Sequence, residues 1–437
     1  MKIDTLINAR WIIPVIPENL VLEHHSLAIQ HGRILEILPT SEATQKYTPN
    51  TTEELLDHAL IPGLINAHTH AAMSLLRGLA DDMPLMTWLN DHIWPAEGKW
   101  VSEEFVADGT QLALAEMLRG GITCFNDMYF FPEVTARVAA AAGMRATIGL
   151  IVIDFPSAWA TDSDDYLRRG LEVHDQYRSH NLIKTAFAPH APYSVSDKPL
   201  AHIQTLADEM DIPIHMHVHE TKDEIKQGLQ QFGTRPIERL QKLGLLSPSL
   251  AAVHMTHLND DEISTVAESG AHVIHCPESN LKLASGFCPV DKLVKAGVNV
   301  AIGTDSAASN NDLDMFSEMR TAALLAKGVA QDASAIPAHT ALRMATLNGA
   351  TALGIDDQTG SLEPGKSADI TAIDFNHAET KPMYHPISQL VYATGRDKVS
   401  DVWIAGKQVV HKGKLTTLNS DKIGQRASEW EDKIREE

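Results

Sequence analysis

Short apolar runs alternate with longer stretches of helical periodicity through most of this chain. The runs Leu60–Ile65, Ile122–Phe125, Ala146–Ile153, Ile183–Phe187, Ile212–Val218, Leu250–Val253, His272–His275 and Val298–Ile302 are short and bounded by polar or turn residues, and they predict strands. Between most of them, apolar residues three and four apart predict helices over Glu103–Leu118, Glu133–Ala142, Asp165–Tyr177, Leu200–Met210, Pro236–Leu243, Glu262–Glu268 and Val290–Ala296. Several helices are followed by glycine (Gly143, Gly244, Gly270, Gly297), the residue that most readily closes a helix. Strands alternating with helices point to a parallel sheet, closed as a (β/α)8 barrel or open as a doubly wound fold. Polar residues follow each strand: His68 and His70, Asn126 and Asp127, Asp154, His190, His217 and Glu220, His254 and His257, Glu278 and Asn280, and Asp305. Functional groups at every strand end suit a barrel mouth, whereas an open sheet gathers its site at one switch point. The pattern therefore predicts an α/β fold, a (β/α)8 barrel over residues 60–364.

The two ends of the chain read differently. Residues 1–59 hold short strands (Leu27–Gln30, Ile34–Leu38) around the turn residues His31-Gly32. Residues 365–437 hold Asp369–Asp374 and the run Val402–His411, in which Gly406-Lys407 predicts a tight hairpin. Neither half has enough strands to bury a core alone, so the two are expected to join as one small β-sandwich.

Composition narrows the partners. The chain of 437 residues is 44% hydrophobic and carries 36 Lys plus Arg against 57 Asp plus Glu, a net charge of −21. That balance disfavours nucleic acid and anionic membranes and favours a small-molecule partner. The N-terminus shows no signal-peptide pattern, and no apolar run approaches a membrane span, so a cytoplasmic protein is expected. Three cysteines (Cys124, Cys276, Cys288) make no disulfide framework and read as small buried hydrophobes. Histidine is in excess, with 22 residues.

The histidines fall into an ordered series. His68 and His70, two apart at the end of an apolar run, share one face of a strand and suit a divalent transition metal. His215, His217 and His219 share a face in the same way, and at most one or two of them reach a common metal. Glu220, three residues after His217, joins that face only if the strand bends or ends there. His254 and His257 compete for one further role, and Asp305 ends another apolar strand. Three histidines and one aspartate make a site for a single metal with a water-derived ligand. Lys184 begins its strand, the wrong end to bridge two metals, which favours one metal over two. The Pro-Cys-x-x-Cys pair of cysteine-ligated nucleobase deaminases is missing.

Over nearly its whole length the chain resembles the amidohydrolase superfamily, and within it the 5-methylthioadenosine/S-adenosylhomocysteine deaminases. The resemblance rests on Pro62-Gly-Leu-Ile-Asn-Ala-His-Thr-His70, Ala188-Pro-His-Ala-Pro-Tyr193, His217-Val-His-Glu220, His275-Cys-Pro-Glu-Ser-Asn-Leu-Lys-Leu-Ala-Ser-Gly286, Gly303-Thr-Asp-Ser-Ala-Ala-Ser-Asn-Asn311 and Leu362-Glu-Pro-Gly-Lys-Ser-Ala-Asp369. It implies His68, His70, His217 and Asp305 as ligands of one Zn²⁺ per subunit, with iron as the alternative. It implies Glu220 as proton shuttle, Asp305 as base, His254 as orienter of the hydrolytic water, Glu97 as ribose ligand and His190 as a substrate contact, with Glu220 and Asp305 also facing the purine. The implied reaction is hydrolytic deamination of adenosine-type nucleosides with release of ammonia, by a homo-oligomer. No arginine matches the one expected to hold a homocysteine carboxylate; Arg168 and Arg169 are the candidates. Met83, Trp88 and Leu89 are candidates to accept a methylthio group. Guanine deamination, triazine hydrolysis and a non-catalytic assembly role on the same barrel are the competing readings.

Overall fold

A computed structural model describes residues 1–435. Eight parallel strands follow one another around a barrel: β5 (Leu64–Thr69), β6 (Ile122–Tyr129), β7 (Arg145–Val152), β8 (Ile183–Pro189), β9 (Ile214–Val218), β10 (Leu250–His254), β11 (His272–His275) and β12 (Val300–Ile302). The ring closes between its last and first strands, where Asp305 N–H donates to the His68 carbonyl at 3.0 Å and Thr69 bridges Asp305 in parallel. Its interior is filled by small and medium side chains, among them Ala67, Ala251, Val253, Ile274, Cys276 and Ala301. The larger apolar side chains face outward against the helices, and all three cysteines are free and buried.

The helices form where local chemistry marks their ends. Ser102 caps the helix Glu103–Arg119 by accepting from Phe105 N–H, and Asp162 does the same for Ser163–Tyr177. Asn259 and Glu262 form a reciprocal capping box before Asp260–Ser269. The four helix-closing glycines are all left-handed, with φ of 74° to 86°.

The other eight strands come from both ends of the chain: β1 (Lys2–Ile12), β2 (Leu22–Gln30), β3 (Arg33–Pro39), β4 (Thr48–Pro62), β13 (Ile370–Asp374), β14 (Val399–Ile404), β15 (Lys407–His411) and β16 (Lys414–Leu415). They form one continuous sheet in the order β16-β15-β14-β13-β4-β1-β2-β3. Its two wings come together, Trp403 of β14 sharing a core with Ile7 of β1 and Ile29 of β2. Gly32 and Gly406 stand at the two hairpin turns, so close that a Cβ on Gly406 would lie 2.8 Å from the Gly32 Cα. A buried ion pair ties this sheet to the barrel: Arg145 Nε, at the start of β7, lies 2.7 Å from Asp369 Oδ2, and both side chains are inaccessible.

Two local expectations need correction. The apolar run Leu60–Ile65 is not one strand. Leu60–Pro62 ends β4, and the chain passes to the barrel at Gly63, where a Cβ would stand 2.0 Å from Thr123 Oγ1. The hairpin turn is Ala405-Gly406 rather than Gly406-Lys407, because both central residues of this turn take positive φ (48° and 74°) and Lys407 already pairs with Ile404.

One excursion bears on function. Between β5 and β6 the chain runs through Ala71–Leu76, Leu85–Trp88, Leu89–Ile93 and Trp94–Trp100 before reaching the helix Glu103–Arg119. The C-terminal helix Ser420–Arg435 braces this region. Trp430 packs edge-on against Phe105 and Trp100, and its Nε1–H donates to Asp108 at 2.9 Å.

Candidate metal centre and substrate cavity

The strand ends converge on a single point. His68 Nε2 and His70 Nε2 lie 3.4 and 3.3 Å from Asp305 Oδ1, and His217 Nε2 lies 3.2 Å from His68 Nε2. The backbone fixes the tautomers of two of these rings. His217 Nδ1–H donates to the His190 carbonyl at 2.8 Å and His70 Nδ1–H to the Met128 carbonyl, which leaves both Nε2 lone pairs aimed at the cluster. Ring nitrogens held this way by carbonyls are the usual outer support of metal-bound imidazoles. His68 Nδ1 shares a 2.7 Å hydrogen bond with His215 Nε2, whose other nitrogen lies 2.9 Å from the Asn126 amide. Asp305 is held by Ser279 O–H at 2.6 Å and Ser306 N–H at 2.8 Å.

The Asp305 carboxylate dominates the electrostatics of the cluster. Burial alone would lower the His70 pKa, yet the Asp305 carboxylate raises it to about 9. Burial would likewise raise Asp305, but His68 and His70 hold its carboxyl well below the usual range. The ligand atoms that converge form two groups sharing His68, one with His70 and Asp305 and one with His217 and His254, and imidazoles with a carboxylate are a donor set for a divalent transition metal.

Glu220 and His254 stand beside the cluster, Glu220 Oε2 lying 3.7 Å from His254 Nε2. β9 stops at Val218, and His219 takes a left-handed φ of 55°, which turns Glu220 into the cavity. The bend that the His217 to Glu220 spacing requires is therefore present. Burial and the nearby negative charge of Asp305 push Glu220 up to about 8, against smaller opposing effects from Ser285 and His70. His254 also has positive φ (75°), and burial lowers its pKa to about 4, so it is neutral at pH 7.

Of the two competing histidines, His254 enters the cavity. His257 turns away and donates from Nε2 to the Ser285 carbonyl at 2.7 Å. His219 is also directed elsewhere, its Nε2 accepting from Ile237 N–H. His190 lines the cavity, neutral because burial lowers its pKa to about 3. Lys184 lies at the opposite end of the barrel from the cluster, beside Thr185 and His272.

The cavity over the cluster measures about 610 Å³. Glu97, on the helix Trp94–Trp100, reaches it and accepts from Tyr129 O–H at 2.7 Å. Burial raises the Glu97 pKa, and the Tyr129 hydrogen bond offsets part of that. Trp88 and Leu89 line the cavity, whereas Met83 does not; Leu85 and Met86 stand there instead. Arg168 and Arg169 are outside it, paired with Asp165 on an exposed helix face. His215 was legible only as a third histidine on its strand face; Asn126 stood out only as a polar residue at a strand end, and Ser279 and Ser285 only as members of a longer motif, with no sign of the contacts they make.

A closed parallel barrel with this donor set at its C-terminal mouth defines a hydrolase of the metal-dependent barrel class. The chain belongs to the amidohydrolase family, whose model matches residues 59–409. It is 53% identical to a 5-methylthioadenosine/S-adenosylhomocysteine deaminase of Teredinibacter turnerae, over 99% of this chain and 98% of the relative. It is 40% identical to a protein of the same name from Aquifex aeolicus, over 93% and 94%. Among solved structures, an adenosine deaminase from Xanthomonas campestris with bound zinc superposes with a TM-score of 0.99 at 53% identity, covering 100% of this chain and 99% of that one. Atrazine chlorohydrolase from Arthrobacter aurescens (21% identity, TM-score 0.91, 98% and 99% covered) shares the fold.

Proposed function

We propose that this protein deaminates adenosine-type nucleosides hydrolytically, converting 5′-methylthioadenosine to 5′-methylthioinosine and S-adenosylhomocysteine to S-inosylhomocysteine, with release of ammonia. The observation that carries the reading is a carboxyl held protonated near pH 7, Glu220, beside an ionised one, Asp305, at the floor of a nucleoside-sized cavity. Full-length relatives that carry the deaminase name support it.

His68, His70, His217 and Asp305 would hold one zinc ion. Bound there, the metal supplies Lewis acidity that lowers the pKa of water towards about 7. Asp305 takes a proton from the attacking water while Glu220 gives its own to purine N1, so no negative charge builds on the ring as the oxygen adds to C6. Asp305 then returns its proton to the amine, Glu220 recovers one from the new hydroxyl, the C6–N bond breaks and ammonia leaves. His254, neutral and 3.7 Å from Glu220, orients the water. Glu97 accepts from the ribose hydroxyls and His190 contacts the substrate.

A substrate panel with ammonia detection tests the assignment. A 5′-thioether adenosine is expected to have the highest kcat/KM. Guanine or a chlorotriazine as best substrate would refute the nucleoside assignment.

A further inference from the structure

We infer that the site selects against a carboxylate on the 5′ tail, so that 5′-methylthioadenosine is turned over with a much higher kcat/KM than S-adenosylhomocysteine. The inference rests on the deaminase reading and concerns the part of the cavity that this reading leaves to the tail. No lysine or arginine lines the cavity among the described residues. Its acidic side chains are four carboxyls: Glu97, Asp154, Glu220 and Asp305. Three of them stand deeper, and Asp154 sits exposed at the mouth beside Phe155, which is 47% exposed. Asp154 is held there by Ser196 N–H, which donates to its Oδ2 at 2.8 Å. Arg239 stacks over the ring of Phe232, which lines the cavity, but does not line it itself. It is committed to Asp197 and to the carbonyls of Pro192 and Val195.

An amino-acid tail brings an ammonium and a carboxylate into this mouth together. The ammonium finds Asp154. The carboxylate finds a like charge, apolar rings and neutral polar groups such as Ser157 and Gln227, with no cation to form the charge-assisted bonds that recognise such groups. A methylthio group asks only for apolar contact, which Leu85, Met86 and Leu89 provide.

The test uses the metal-loaded enzyme and three substrates: 5′-methylthioadenosine, S-adenosylhomocysteine and 5′-(3-aminopropylthio)adenosine, which keeps the ammonium and tail length but lacks the carboxylate. We expect kcat/KM for S-adenosylhomocysteine to lie about 100-fold below that for methylthioadenosine, the scale of one unpaired charged group. The aminopropyl compound should recover most of that loss. Phe155→Arg should raise S-adenosylhomocysteine relative to the aminopropyl compound. S-adenosylhomocysteine within about threefold of methylthioadenosine, or an aminopropyl compound as poor as S-adenosylhomocysteine, would overturn the inference while leaving the deaminase reading intact. If guanine releases ammonia and none of the three does, the nucleoside-deaminase reading falls and takes the inference with it.

Discussion

Replacing Glu220 with glutamine separates proton transfer from every other role the site plays. Glutamine keeps the shape of the side chain and its contact with Ser285 O–H, 3.5 Å from Oε1. Glu220 is not among the atoms that converge on the metal centre, so Glu220→Gln should keep its metal and its fold. On the proposed mechanism it loses the proton for purine N1, and general acid–base groups are typically worth about 10²–10⁴-fold in rate. That corresponds to about 3–5 kcal/mol of transition-state stabilisation. A second signature follows from the pKa. A carboxyl raised to about 8 is protonated below that pH and ionised above it, so wild-type kcat should fall as pH rises through this range. A bound dication draws that limb to lower pH without removing it. Ammonia release measured across pH, beside elemental analysis of both proteins, checks the reasoning. A variant that turns over at the wild-type rate, or that loses metal in proportion to activity, would refute it.

Further outcomes follow from the same geometry. Chelation should abolish turnover and a divalent metal should restore it, and His217→Ala should lose bound metal outright; an active enzyme free of transition metal would contradict both. His215→Phe leaves the buried His68 Nδ1 without its partner and should weaken metal affinity about 10–100-fold, read by competition with a chelator. Arg145→Ala strands Asp369 between the barrel and the terminal sheet, costing about 3–5 kcal/mol. In a chain of this size that lowers Tm by about 3–5 °C, measurable by calorimetry.

Where local chemistry determines structure, the sequence was enough. The barrel strands are short apolar runs, the helices are bounded by side-chain caps and left-handed glycines, and His68 and His70 share a face because strands repeat every two residues. Even the bend before Glu220 was legible as a requirement, since period two alone would have turned that carboxylate away from His217. What could not be read were features set by distant parts of the chain. Leu60–Ile65 is uniformly apolar, and only the approach of Thr123 to Gly63 divides it between two sheets. The excursion that brings Glu97 over the cavity has no single period, mixing four short helical pieces, and its brace, Trp430, comes from the far end of the chain. His215 and Ser279 act through residues remote in sequence, His68 and Asp305, so no spacing rule reveals them.

The strand ends that carry the chemistry are also where the backbone is least relaxed. His219, His254 and Asp305 all take positive φ, between 55° and 75°, a conformation that costs a residue with a side chain about 1–3 kcal/mol unless its surroundings impose it. The surroundings do impose it. Glu224 accepts from the His219 and Glu220 N–H groups at 2.8 and 2.7 Å, Met255 N–H donates to the Val218 carbonyl, and Asp305 N–H closes the barrel on His68. Burial pushes Glu224 up to about 8 despite those two donors, so the brace itself is a buried polar group at some cost. A relaxed strand would continue its alternation and send Glu220 to the face opposite His217. The left-handed kink is what puts Glu220, Asp305 and the imidazole cluster into one cavity. The strain at these positions is therefore tied to the geometry that the proposed proton transfer needs, and substitutions that relieve it should cost activity before they cost stability.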